Sequence, residues 1–75
     1  MTRLVDCKGS TQVKIVKINA GRGALINLSN LGLHIGNFIK LMRKSPFKGP
    51  VIVDHQGSEV AIGYGLAQKI FVEEI

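Results

Sequence analysis

The sequence predicts a mainly β fold: a small curled barrel of about five strands with one short inserted helix. Three observations predict it. The chain has 75 residues, enough for one domain and one modest core with a folded surface of about 4,500 Å². Its apolar residues fall in short segments broken by nine glycines, the punctuation of tight corners in a small barrel. One pair of these segments alternates apolar and polar residues on either side of Gln56-Gly57, which reads as a hairpin.

The elements follow in order. Leu4 and Val5 precede Lys8-Gly9, a leading edge segment and a turn. Thr11 to Asn19 is the first clear strand. Val13 and Ile15 share one face and Val16 and Ile18 the other, a phase switch that suits a strand bulging as it curls. Ala20 to Gly23 turns the chain. Ala24 to Leu31 reads as a short helix with Leu25, Leu28 and Leu31 on its apolar face. Its ending is well specified: Gly32 falls where a left-handed residue is wanted, and Leu33 is placed to touch Leu28 in a Schellman motif. Gly23 is only a modest N-cap, so the helix depends on docking. On this reading Leu31→Ala would cost about 2–5 kcal/mol.

His34 to Asn37 makes a second turn. Phe38 to Lys44 is a strand with Ile39 and Leu41 on one face and Phe38 and Met42 on the other. Ser45 to Pro50 is a loop bounded by proline effects on the backbone. In the following hairpin Val51 faces Ile62, Val53 faces Val60, and Asp54 faces Glu59. That register gathers the branched residues on one face, and a slip by one residue would scatter them. Leu66 to Lys69 is one helical turn, and Ile70 to Glu74 a closing strand. Short strands with a small helical insertion favour an SH3-like barrel over an OB-like one, whose strands usually run longer.

Composition narrows the function. An apolar fraction of 45% and a charged fraction of 20% are those of a globular chain and argue against disorder. No apolar run approaches the about 20 residues of a spanning helix. Without an apolar signal core at the N-terminus, a cytoplasmic location is expected. The single cysteine, Cys7, excludes an internal disulfide framework; a neighbouring Lys8 could lower its pKa slightly. The net charge of +5 suits a nucleic acid or an acidic partner. It equally suits solubility and the protection of strand edges, because only Arg43 and Lys44 are adjacent.

No catalytic set emerges. Gly21-x-Gly23 lacks the further glycine of a dinucleotide loop, and no glycine precedes a Lys-Ser/Thr pair at phosphate-loop spacing. No base or orienting group can be assigned to Cys7, so no enzyme is expected. For a transition metal, the candidates are His34, His55, Asp54 and Glu59, none with zinc-site spacing. Asp54 and Glu59, side by side, would repel mildly; a cation could relieve that, as could water and nearby lysines. In Arg43-Lys44-Ser45-Pro46-Phe47-Lys48 a phenyl ring lies among cations. Phe47 could stack on a nucleic acid or fold back over the barrel end, and one ring is no stacking platform.

Leu28-Ser29-Asn30-Leu31-Gly32-Leu33-His34-Ile35-Gly36 resembles the L-x-x-L-G-L-x-P-G signature of the ferrous iron transport protein A family (FeoA). Arg43 to Val51 resembles its R-x-x-P-x-x-x-P connector. Val60-Ala61-Ile62 and Ala67-x-x-Ile70-x-Val72 resemble its V-A-L … E-A-x-x-I-x-V ending. The resemblance spans about residues 4 to 74; Ile35 replaces a usual proline, and Leu66 a common glutamate. It implies that residues 1–75 form one FeoA-type SH3-like domain, an accessory of bacterial ferrous iron uptake. The implied partner is the membrane ferrous iron transporter with its cytosolic GTP-binding domain, met without insertion into the membrane. The expected contacts are Leu33, His34 and Phe47, with Arg43, Lys44 and Lys48 as electrostatic helpers. A related barrel ends iron-dependent repressors of the diphtheria-toxin-repressor type. The competing expectations are therefore a metal-sensing module, binding Fe²⁺, Mn²⁺ or Zn²⁺ weakly, and a basic RNA-binding barrel, suggested by charge alone.

Overall fold

The computed structural model describes residues 1–9 and 11–75. In chain order the elements are β1 (Thr2–Arg3), a 3₁₀ turn (Leu4–Asp6), β2 (Gln12–Ile18), α1 (Arg22–Asn30), β3 (Phe38–Lys44), β4 (Val51–His55), β5 (Ser58–Ile62), α2 (Tyr64–Ala67) and β6 (Ile70–Glu74). The strands form one antiparallel sheet in the order β1-β6-β2-β3-β4-β5. The sheet is mainly β and SH3-like, as the sequence predicts, with six strands where about five are expected. The extra strand is β1. Its two polar residues carry no apolar signal, and it forms because β6 offers an edge, with Thr2 opposite Val72 and Arg3 opposite Phe71.

The inner face of the sheet is the core. Val13, Ile15, Ile39, Leu41, Val51, Val53, Ile62, Ile70 and Val72 are all buried, and Leu4, Leu28, Leu33 and Ala67 close over them. The phase switch in β2 is a bulge. Ile15 pairs with Val72 and Lys17 with Phe71, so Val16 is the extra residue; Ile18 then returns to pack on the core. β4 and β5 pair in the predicted register around Gln56 and Gly57, both at positive φ. α2 lies two residues earlier than expected and is docked by Ala67, which is fully buried.

Helix α1 differs from its expected form at its start and on its face. It begins at Arg22 after an extended Gly21, which has no side chain to cap it. It ends as predicted. The Gly32 N–H donates to the Ser29 carbonyl oxygen and the Leu33 N–H to that of Leu28, each at 2.9 Å. Gly32 has φ +81°, a conformation costly for an L residue. The three-leucine face is not buried as a unit. Leu28 is 1% exposed, but Leu25 is 42% and Leu31 43% exposed. At 100° per residue, Leu25 and Leu31 stand about 60° to either side of Leu28, and the helix meets the sheet along one narrow line.

Candidate contact surface

The loop from β3 to β4 has an unusual backbone. The Gly49 N–H donates to the Pro46 carbonyl oxygen at 3.1 Å, and the Ser45 N–H to that of Pro50 at 3.0 Å. The two residues inside this tight turn, Phe47 and Lys48, have φ of 57° and 58°. Consecutive positive φ is the signature of a type I′ turn, where Asn-Gly is the usual pair. A left-handed conformation costs an L residue about 1–2 kcal/mol. The surrounding bonds and the close approach at Gly49 sustain it: a Cβ there would lie 2.7 Å from the Ser45 Cβ and 3.1 Å from the Pro46 oxygen. The turn aims Phe47 outward, and the residue is 100% exposed. Of the two readings of this ring, folding back over the barrel end is excluded.

The other expected contact residues divide. Arg43 Nη1 lies 3.9 Å from Glu59 Oε1, with both side chains more than half exposed; such a pair is weak and open to exchange. Lys44 Nζ donates to the Val5 carbonyl oxygen at 3.2 Å, so its charge also holds the 3₁₀ turn in place. Lys48 and His34 are exposed. The His34 N–H donates to Asn37 Oδ1 at 2.7 Å, which fixes the turn into β3. Leu33 is a correction. It is 1% exposed, because the Schellman ending folds it inward onto Leu28.

The expected metal ligands do not converge. Asp54 and Glu59 are direct neighbours across β4 and β5. Lys40 stands opposite Asp54 and Arg43 pairs with Glu59, so basic neighbours offset their repulsion. His55 Nδ1 lies toward Gly32, 3.9 Å from where a Cβ would be. Among the described residues no three His, Cys, Asp or Glu side chains come together as a metal cluster. The compensating role of Arg43 could have been read from the hairpin register, which sets two acids side by side. Asp54 and His55 also border a groove of ≈ 520 Å³ with Gln12, Phe38 and Lys40. Its lining offers hydrogen bonds, one aromatic face, the Lys40 amine, the His55 imidazole and a single carboxylate.

Cys7 is 7% exposed, and its thiol points at the Arg3 carbonyl oxygen, 3.6 Å away. Burial pushes its pKa up, and Glu74 and Asp6 push the same way against Lys44. The expected lowering by Lys8 is not what governs it. The folded protein therefore holds this proton to higher pH than the unfolded chain, and stability falls as pH rises through the folded thiol's range. Alkylation by iodoacetamide is expected to be much slower than for a free thiol until denaturant is added. Equal rates with and without denaturant would contradict the burial.

The FeoA domain profile matches residues 2–74. The chain belongs to the FeoA domain family. A candidate Fe(2+) transport protein A of Methanocaldococcus jannaschii is 43% identical over 74 residues, covering 99% of this chain and 88% of that protein. The crystal structure of the iron uptake regulatory protein FeoA has a TM-score of 0.86 and 28% identity, over 99% of this chain and 96% of that one. The structure of ScaR with bound Zn²⁺ has a TM-score of 0.91 and 23% identity, over all of this chain and 37% of ScaR. The likeness to ScaR is one of fold alone. Among the described residues of this FeoA domain, no helix is long and apolar enough to cross a membrane.

Proposed function

We propose that this FeoA domain is a non-catalytic accessory of ferrous iron uptake, binding the cytosolic GTP-binding domain of the membrane ferrous iron transporter and modulating it from the cytoplasmic side. The observation that carries this reading is the exposed, strained β3–β4 turn with its flanking cations, on a chain that is 43% identical to a candidate Fe(2+) transport protein. Phe47, Arg43, Lys44 and Lys48, on β3 and its following turn, form the proposed surface, and His34, before the other end of β3, is a separate proposed contact. Its cations suit an acidic partner, whose association they would steer.

The test is capture of the isolated GTP-binding domain by the immobilised protein. Arg43→Glu and Lys48→Glu are each expected to reduce capture about tenfold at low salt, with the difference shrinking as salt rises. Equal capture by the variants would remove this surface from the proposal. No capture by the unmodified protein would remove the partner.

A further inference from the structure

We infer that the β3–β4 turn is a peripheral membrane anchor. The Phe47 ring enters the interface of an anionic phospholipid leaflet while Arg43 and Lys48 meet its phosphates. This inference rests on the reading above, which places the chain beside a membrane transporter.

Three observations favour lipid. First, the ring is wholly in water and is held there by two successive residues in left-handed conformation. Strain of this kind persists where the fold over-determines it, and it points to a use for the displayed group. Second, the displaying element is one tight turn. The tip by itself supplies little of the about 1,000 Å² that a specific protein interface needs, which must come from the wider surface around it. A bilayer needs no matching shape: it takes an apolar side chain at its boundary and attracts every cation within a Debye length. Third, cations outnumber acids around the turn. Lys40, Arg43, Lys44 and Lys48 belong to β3 and its turn; the fold sets two acids of the β4–β5 hairpin against them, Asp54 opposite Lys40 and Glu59 at 3.9 Å from Arg43 in an exposed pair open to exchange. The turn is also pre-ordered by its backbone bonds and by the packing at Gly49, so little conformational freedom remains to be lost on contact.

The chain has no tryptophan, so Phe47→Trp places a single fluorescent reporter at the tip. Its backbone demand equals that of phenylalanine, and the site is exposed. With vesicles of mixed phosphatidylglycerol and phosphatidylcholine, the emission is expected to shift to the blue and to revert at high salt. With phosphatidylcholine alone it is expected to stay unshifted. Adding Lys48→Glu is expected to weaken the partitioning about tenfold. In sedimentation with the mixed vesicles, Phe47→Ser is expected to remain in the supernatant where the unmodified protein pellets. No shift on the mixed vesicles overturns the inference, and so does an equal shift on both kinds. A shift on the isolated GTP-binding domain but not on vesicles also overturns it, and assigns the ring to a protein pocket. The vesicles contain no transporter, so their result is independent of the capture experiment that tests the partner.

Discussion

Leu28→Ala is expected to lower the unfolding free energy by about 2–5 kcal/mol. A chain of this length has about 4–11 kcal/mol in all. The midpoint of thermal denaturation should fall by about 10–30 °C. Three features concentrate the effect on this residue. Leu28 alone on α1 is fully enclosed. Its carbonyl oxygen receives the Leu33 N–H that ends the helix, and its side chain shares the core with that of Leu33. The companion Leu31→Ala is expected to change stability by no more than about 0.5 kcal/mol, since Leu31 already faces water. Urea titration of both variants measures the contrast. Equal losses would mean that α1 docks through a broader face than the one line described.

Gly49→Ala is expected to cost about 1–3 kcal/mol, the usual range for overfilling a tight site. The added methyl group meets the Ser45 Cβ at 2.7 Å and the Pro46 oxygen at 3.1 Å. The turn must open, and the bonds at Gly49 and Ser45 go with it. Faster amide exchange at these two residues is the local readout, and denaturation the global one. Gly23→Ala is the control. It sits within α1, and nothing lies within 4 Å of the new Cβ; it is expected to stabilise by about 0.5–1 kcal/mol. A Gly49→Ala protein as stable as the unmodified one would show that the loop relaxes freely. The strain assigned to Phe47 and Lys48 would then not be imposed by this packing.

The hairpin, the bulge in β2 and the helix ending were readable because each leaves a local pattern. Strict alternation on both sides of Gln56-Gly57 permits one register, and Gly32-Leu33 after a leucine repeat permits one kind of stop. β1 was not readable, because Thr2 and Arg3 owe their strand to an edge supplied 70 residues later. The face of α1 is not legible, because a spacing of three cannot tell a helix laid flat from one touching along a line. Leu33 reads as a surface contact from its place in a loop, while the bonds that end the helix turn it inward. In the candidate site, the ring and its cations were visible in the residues. The left-handed backbone that displays them was not, since Phe-Lys is not the pair that such a turn ordinarily selects.

The position of β6 governs when this chain can mature. This strand, which follows all the others described, lies between β1 and β2, bonded to both. Without Ile70 to Glu74, β1 has no strand to pair with and β2 is left with β3 alone. A polypeptide cut short before Ile70 should be open to proteases, and one carried through Glu74 should resist them.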